Sequence, residues 1–469
     1  MNESMQSRLW IQVLCFLMLV ICLSGCHSAR HSDVNPIERP NILILLADDL
    51  GYGELGCYGQ EIIKTPNIDQ LAKRGMRFTQ FYAGSSVCSP SRAVLMTGMH
   101  VGRLSIRGNY GYVGNNDWGR ISLDRKELTL GEMLRDAGYQ TAYIGKWHLG
   151  IPGDISTWAA GRGFEYAVQE QWGAKPEGGR FDENDHWING RDSVVYYDYT
   201  QYDCKDVFRT DLAIDFLTKE RNSEKPLFLV MSYRTPHAHE YDLRETKRYS
   251  EFGWPENERR HASRITMLDE QVQRLLDTLE AMGEMDNTLV LFTSDNGPQA
   301  ESHNAQFFMS AGGLRGIKRD MYEGGIRVPM IAYWYGKIEA GTLSDHAGVF
   351  YDLMPTLAEV SGIKKPAQTD GISFLPELLG QEQERHEHLY FEIQEGKMPE
   401  GFRQALRNGP WKVTRYERNG LPELYNLESD LYEKVNLAGK KPELLEELNA
   451  TMLSKSKANK NWPYAGLSN

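Results

Sequence analysis

Two pairs of adjacent oxygen donors end apolar runs in this chain. Asp48 and Asp49 close "NILILLADD" (41–49), and Asp295 and Asn296 lie in "TLVLFTSDNG" (288–297). Neighbouring carboxylates at the end of a buried strand repel each other, and a hard dication there neutralises both. With Asp295 and Asn296 the set reaches four oxygen donors, a number and type that suit calcium, with magnesium as the alternative. Taken singly, each pair is more often a turn or a helix cap than a metal site. Two further runs end in polar groups: "TAYIGKWH" (141–148) in Lys146 and His148, and "PLFLVMSYRTPHAH" (226–239) in His237 and His239. A lone thiol, Cys88, stands in "SSVCSPSRAVLMTG" (85–98), followed by Pro90, Ser91 and Arg92 where an apolar helical pattern begins.

The elements that must position these groups alternate. The four apolar runs read as strands buried on both faces. Between them lie the helical stretches 67–78, 129–138, 211–220 and 265–283. This predicts an α/β fold with a large, mostly parallel sheet flanked by helices. In such sheets ligands bind outside the carboxyl ends of the strands, where the polar groups fall. From about residue 381, "HEHLYFEIQ", "FRQALRNG", "WKVTRYE" and "PELYNL" predict short antiparallel strands, followed by a helical "KPELLEELNATMLSKSKA". The expected organisation is a large domain over 40–380 and a small α+β subdomain over 381–469. Residues 151–205, rich in Gly and in Trp158, Trp172, Trp187, Tyr196, Tyr197, Tyr199 and Tyr202, read as a long loop insertion near the strand ends. Its rings serve either to stack on sugar faces or to fill a satellite core.

Residues 9–24, "LWIQVLCFLMLVICLS", form an apolar run after Arg8 that is short for a membrane span. It reads as an export signal. The "LSGC" at 23–26 resembles a bacterial lipobox, which implies lipidation at Cys26, a signal segment over 1–26, a linker over 27–39, and an exported periplasmic or cell-surface lipoprotein. An ordinary signal peptide or a single anchoring helix is the alternative. The full chain of 469 residues is 41% hydrophobic and 25% charged, as in globular enzymes, and its net charge of -12 argues against nucleic acid as a partner. Setting aside the signal and Cys26 leaves Cys57, Cys88 and Cys204, too few for a disulfide framework.

The segment "CSPSR" (88–92), with the flanking "AVLMTG" and the downstream "GYQTAYIGKWHLG" (138–150), resembles the signatures of the type I sulfatases of the alkaline-phosphatase superfamily. The similarity runs from about residue 40 to 455 and includes "ADDLGYGELGCYG" and "ELYNLESDLYEKVNLA". It implies that Cys88 is a precursor, read by a maturation enzyme at CSPSR and oxidised to formylglycine, whose hydrate attacks sulfur. It further implies that Asp48, Asp49, Asp295 and Asn296 hold the metal together with the modified Cys88, and that Arg92 holds the hydrate. Lys146 would bridge hydrate and sulfate, and His148 would take the proton that lets sulfate leave. His237 would be the general acid, and Lys318, in "LRGIKRDMYEGGIRVP", would contact the sulfate and leaving oxygen. His303 and Arg315 lie close by in sequence and are candidates for reading substrate hydroxyls or a second anionic group. The expected activity is hydrolysis of sulfate esters, on a sulfated saccharide or an aryl sulfate. A formylglycine-dependent phosphodiesterase or phosphonate monoester hydrolase is the enzymatic rival, and a noncatalytic glycan-binding lipoprotein the rival of another class.

Lipidation at Cys26 makes a direct prediction. Wild-type protein should partition with membranes and carry a diacylglyceryl group, and Cys26→Ser should abolish that modification. Mature wild-type protein recovered in the soluble fraction and starting elsewhere would exclude it.

Overall fold

The computed structural model describes residues 39–115, 117–170, 185–189, 194–198, 200–238, 247–395 and 401–463. Cys26, Trp172, Tyr199 and His239 lie outside them. Ten strands form the large sheet: β1 Asn41–Asp48, β2 Met76–Phe78, β3 Gln140–Gly145, β4 Tyr166–Glu170, β5 Asp185–Ile188, β6 Val194–Tyr196, β7 Leu227–Pro236, β8 Thr288–Ser294, β9 Met330–Tyr333 and β10 Thr342–Ser344. Their spatial order is β10-β2-β9-β8-β1-β7-β3-β4-β5-β6. The central run β8-β1-β7-β3-β4 is parallel. Antiparallel pairs flank it on both sides, β9 on β8 and β5 on β4.

The helices are α1 Pro66–Arg74, α2 Cys88–Thr97, α3 Leu130–Asp136, α4 Lys205–Asp215, α5 Glu256–Ala281, α6 Leu353–Val360 and α7 Pro442–Lys455. Strand β1 reads as an unbroken apolar run because both its faces are covered. Ile42, Ile44 and Leu46 enter one core, with α2, α3 and α6. Leu43, Leu45 and Ala47 enter the other, with α1, α4 and α5. The first core also takes in Leu389, Leu406, Val413 and Leu424 of the small antiparallel sheet, β11 Leu389–Gln394, β12 Phe402–Asn408, β13 Trp411–Tyr416 and β14 Glu423–Asn426. The small sheet is therefore packed into the same apolar interior as the large one.

Two expectations change. The helix foreseen over 67–78 stops at Arg74, and Met76–Phe78 is a strand paired with β9. Gly75 makes the break: a Cβ there would lie 2.1 Å from the Ala332 carbonyl oxygen, so only glycine lets the chain turn this closely against the sheet. The aromatic segment is not one long loop, because β4, β5 and β6 run through it and extend the sheet. Trp158 and Trp187 pack edge to face at 5.6 Å in a satellite core with Ile155, and Tyr197 is buried against Phe208. Those three rings fill space, whereas Tyr196 remains half exposed.

Register explains why the chemistry converges. Asp48 stands opposite Pro236 across β1 and β7, Ala47 opposite Ser294 across β1 and β8, and Ser232 opposite Gly145 across β7 and β3. The four strands end level, so the residues that follow them emerge at one rim. Gly145, with φ of 113°, turns the chain into Lys146, and a Cβ there would sit 1.9 Å from the Ser232 carbonyl oxygen. Gly138, at the other end of β3, has φ of 89° but nothing within 4 Å of its Cβ position. Gly145→Ala should therefore cost about 2–4 kcal/mol of unfolding free energy and Gly138→Ala about 1 kcal/mol, measured by chemical denaturation. Equal costs would show that φ strain alone, not the collision, decides the matter.

Candidate active site

Asp48, Asp49 and Asp295 are completely buried, and their carboxylates and the Cys88 thiol offer ligand atoms within 4.8 Å of one another. Asn296 joins through its amide: Nδ2 donates to Asp49 Oδ1 at 2.7 Å and to the Gly297 carbonyl at 2.9 Å. Its Oδ1 is a buried acceptor without a hydrogen-bond partner. Three acidic oxygen donors beside one unsatisfied amide oxygen fit a hard dication, and nothing in the set suits a soft one except the thiol.

Each carboxylate also has a cation. Lys146 Nζ lies 2.6 Å from Asp48 Oδ2, Lys318 Nζ 2.7 Å from Asp49 Oδ2, and Arg92 Nε 2.8 Å from Asp295 Oδ2. Burial acts to raise the Asp48 carboxyl, but the charges of Lys146, His237, Arg92 and Lys318 outweigh it and hold the group well below the usual range. For Asp49 burial is likewise overcome, chiefly by Lys318 and His237. Asp295 goes the other way, pushed up to about 7 by burial and then by the charge of Asp48, against the pull of Arg92. The site can keep two of its acids ionised with its own cations, and the third is where added positive charge tells most.

Cys88 is the first residue of α2, after an extended Val87, with every residue of the helix buried. Ser91 Oγ accepts from the Gly84 amide at 3.0 Å, and Gly98, at φ of 65°, caps the helix end by donating to the Val94 carbonyl at 3.0 Å. The helix is thus held at both ends, with the thiol aimed at the acids: Sγ lies 3.5 Å from Asp48 Oδ1 and 3.9 Å from Asp49 Oδ1. Burial pushes the thiol well above its ordinary pKa, so as cysteine it is a poor nucleophile. Arg92, one turn into the helix, donates to the Lys146 carbonyl at 2.7 Å and to Ser232 Oγ at 2.6 Å, tying α2 to β3 and β7. Its Nη2 is buried, 3.6 Å from Asp48, and has no hydrogen-bond partner.

The two site histidines differ in surroundings. His237 Nε2 lies 3.7 Å from Asp49 Oδ2, and burial presses its pKa to about 4 despite the nearby Asp48 charge. His148, with φ of 59°, follows the β3 turn, and its carbonyl accepts from Ser89 Oγ at 2.9 Å, beside Cys88. Both its ring nitrogens are buried without a partner, and burial followed by the charges of Arg120, Lys146 and Arg92 keeps the ring neutral. Neutral, unengaged imidazole is ready to accept a proton. The ten residues singled out in the sequence for metal and catalysis all fall at this rim. Ser232 was missed, although a lone hydroxyl inside an apolar strand was a signal.

His303 and Arg315 turn out otherwise. His303 is buried and stacked on His261 at 3.4 Å, with Glu54 at the ring edges: His261 Nε2 is 2.6 Å and His303 Nε2 3.8 Å from Glu54 Oε1. Gln299 Oε1 accepts the Glu301 and Ser302 amides, so its Nε2 donates to His303 Nδ1 at 3.1 Å and leaves Nε2 of that ring protonated. Both ring nitrogens of His303 are thus engaged by protein groups, Nδ1 by Gln299 and Nε2 beside Ser310 Oγ at 3.4 Å. The trio is a polar clamp; Glu54 Oε2 also accepts the Gly51 amide at 2.7 Å, just after the acid pair. Arg315 is spent on Tyr425, Tyr322 and the Glu433 carbonyl, away from the site. Clefts of ≈ 690 Å³ near Ser105, Arg125 and Arg162 and of ≈ 450 Å³ near Arg327, His346 and Arg407 contain none of the ten residues, whereas the cleft lined by Lys146 and His148 measures ≈ 50 Å³, so cavity size does not locate the chemistry.

A parallel α/β sheet with acid pairs, a buried helix-initiating cysteine and paired lysines at the strand ends defines a metal-assisted hydrolase site of the alkaline-phosphatase type. The chain belongs to the sulfatase family, whose profile matches residues 40–363, followed by an N-sulphoglucosamine sulphohydrolase C-terminal profile over 316–459. Human arylsulfatase A (Homo sapiens) is 31% identical, across 89% of this chain and 88% of that protein. Dog N-acetylgalactosamine-6-sulfatase (Canis lupus familiaris) is 32% identical, across 78% of this chain and 70% of the other. Among solved structures, Ps i-CgsB in complex with k-i-k-neocarrahexaose superposes with a TM-score of 0.76 at 25% identity, covering 91% of this chain and 94% of that one. BT4656, in complex with its substrate D-glucosamine-2-N,6-O-disulfate, has the same fold, with a TM-score of 0.68 at 22% identity over 91% of this chain and all of that one. The protein is a sulfuric ester hydrolase, of a family in which formylglycine and a metal ion are general.

The donor set predicts how metal content responds to substitution. Asn296→Ala should lower the divalent cation content of purified protein by about tenfold or more, as even outer-sphere changes do in metal sites. Asp295→Ala should do the same but also strand the buried Arg92 charge, at about 3–5 kcal/mol of stability. Metal analysis and thermal melts of both variants check this; unchanged cation content in both would exclude the site.

Proposed function

We propose that this protein is an exported, lipid-anchored sulfatase that removes sulfate from a saccharide, using calcium and a formylglycine made from Cys88. The observation that carries the reading is the meeting of the Cys88 side chain with Asp48 and Asp49 at the start of a buried helix, beneath Lys146 and Lys318. The saccharide is favoured by the carbohydrates named with the neighbouring structures, neocarrahexaose and glucosamine disulfate. Calcium is favoured over magnesium because the donors are three carboxylates and an amide oxygen crowded about one point, which suits calcium's many-oxygen, flexible coordination better than magnesium's retention of several waters.

Asp48, Asp49, Asp295 and Asn296 would hold the cation, with the oxidised Cys88 beside them. When present, the cation and the formylglycine hydrate supply Lewis-acid charge and an oxygen nucleophile. The chain's own groups do the rest. Lys146 and Lys318 would turn their charges from the acids toward the sulfate, and Arg92 would orient the nucleophile through its unpartnered Nη2. His148, neutral and unengaged, would take the proton that permits sulfate release. His237 would protonate the departing alcohol. Burial alone leaves it neutral, and a bound anion favours its protonated form. Lys318, whose pKa its surrounding acids and thiol raise against burial, is the other cation in reach of Asp49.

A sugar alkoxide leaves badly without a proton, whereas nitrophenolate leaves without help. His237→Ala should lose about 100-fold to 10,000-fold on a sulfated sugar and much less on nitrophenyl sulfate. His148→Ala should slow both substrates, with sulfated enzyme accumulating in a burst experiment. Equal losses for His237→Ala on both, with chemistry rate-limiting, would assign the acid role to Lys318. Active preparations should carry formylglycine at position 88 by peptide mass, and Cys88→Ala should be inactive; activity from wholly unmodified protein would sink the mechanism.

A further inference from the structure

His148 must present a ring nitrogen to one particular proton, yet neither nitrogen has a hydrogen-bond partner that would aim it. The backbone around it must do the aiming, and that backbone is strained. Gly145 and His148 both have left-handed φ, 113° and 59°, and a residue with a β-carbon keeps such a φ only where its surroundings hold it there. Ser89 Oγ donates to the His148 carbonyl at 2.9 Å. Trp147 is buried, and its Nε1 donates to the Thr157 carbonyl at 3.0 Å. The Lys146 amide donates to the Ser232 carbonyl at 3.1 Å. The Lys146 carbonyl accepts from three donors: Tyr143 Oη at 2.5 Å, Arg92 Nη1 at 2.7 Å and Ser232 Oγ at 2.8 Å.

A carbonyl oxygen has two lone pairs, so Arg92 and Ser232 would satisfy this one without a third donor. Both also have other partners: Arg92 holds Asp295, and Ser232 Oγ accepts from Arg92. Tyr143 touches two of the three residues from Lys146 to His148. Its hydroxyl meets Lys146, and its ring meets Trp147 edge to face at 5.0 Å and Phe164 at 5.2 Å. It stands on β3 itself, buried in the core that contains α2, so the strand that leads into the strained turn also reaches forward to fix it. We infer that Tyr143 is a positioning residue for sulfate release: by fixing the plane of the peptide between Lys146 and Trp147, it directs the imidazole of His148. The inference rests on the role proposed for His148. In that step a hydroxyl proton passes to an imidazole nitrogen, the electron pair left on oxygen forms the second bond of a carbonyl, and the carbon–oxygen bond to sulfate breaks with its pair departing on sulfate. Misplacing the base by about 1 Å costs such a transfer on the order of 100-fold.

Tyr143→Phe keeps the ring on Trp147 and removes only the hydroxyl, so its Tm should stay within about 2 °C of wild type. Crystal structures of the unmodified Cys88 forms of wild type and variant should show the Lys146 carbonyl turned and the His148 ring displaced by about 1 Å or divided between two positions, with Cys88, Arg92 and Asp48 unmoved. In protein matured to equal formylglycine content, checked by peptide mass, a pulse of nitrophenyl sulfate followed by rapid quench and intact mass should show sulfated enzyme decaying about tenfold more slowly. Over the same comparison kcat/KM, which ends with departure of the nitrophenolate, should change by less than about threefold. Tyr143→Leu, which also withdraws the ring from Trp147, should slow release further and lower Tm. In a His148→Ala background, Tyr143→Phe should add no loss to release, because nothing is left for it to aim. The inference falls if Tyr143→Phe leaves the His148 ring in place or the release rate unchanged. It also falls if kcat/KM drops as much as release, which would make the tyrosine a support of the whole site, or if the loss persists without His148. Fast release in His148→Ala itself would overturn the role of that histidine, and this inference with it.

Discussion

Three carboxylates inside one protein cannot all stay ionised unless positive charge is brought to them, and the rest of this structure is arranged to bring it. Asp48 and Asp49 emerge from the middle strand of the sheet, Asp295 from its neighbour, and the three cations that meet them come from three other places. Arg92 lies on a buried helix, Lys146 follows the turn after β3, and Lys318 is on a loop whose backbone amide is fixed to the Pro298 carbonyl at 2.9 Å. Removing any one of these elements would leave an acid without its partner. The strand register is therefore not a detail of the fold. It is what makes the charges cancel.

That arrangement also explains how one set of groups can serve two guests. In the protein alone, Lys146 and Lys318 each rest within 2.7 Å of an acid. On the mechanism proposed above, a dication would compete for these acids and an approaching sulfate for the ammonium groups. Cation and anion together would separate pairs that were already formed, each taking one partner of the pair. Arg92 is different: its pairing with Asp295 is reinforced by the Lys146 carbonyl and Ser232, so it remains a fixed strut.

Much of this was legible in the sequence for a physical reason. A strand covered on both faces must be apolar throughout, so "NILILLADD" and "TLVLFTSDNG" announce both the strand and the place where it stops. The acids, Lys146 and His237 could be located because they follow such runs directly. What was not legible depended on tertiary contact. Gly75 ends α1 because of the Ala332 carbonyl opposite, which no local pattern contains. The rings of the 151–205 segment could stack on sugars or on one another, and only the packing of Trp158 against Trp187 decides for those two. His303 looked available to a ligand because it lies near the DNG motif; its partners, His261 and Glu54, are 42 and 249 residues away along the chain.

The burial of Cys88 finally makes sense as a property of the precursor's product rather than of the thiol. A nucleophilic cysteine is placed where its pKa falls, beside unpaired positive charge and in reach of solvent. Here Asp48 and Asp49 crowd the sulfur and burial suppresses its ionisation, so the site works against a thiolate. An oxygen group at the same position faces the opposite balance. On the mechanism proposed above it would share a hard cation with the acids, and the His148 ring nitrogens and Arg92 Nη2, which have no hydrogen-bond partner, would serve as its proton acceptor and its hydrogen-bond donor. The buried polar groups left unsatisfied around the cysteine, Arg92 Nη2, the His148 ring and Asn296 Oδ1, are of the kinds that an oxygen nucleophile and a hard cation would use.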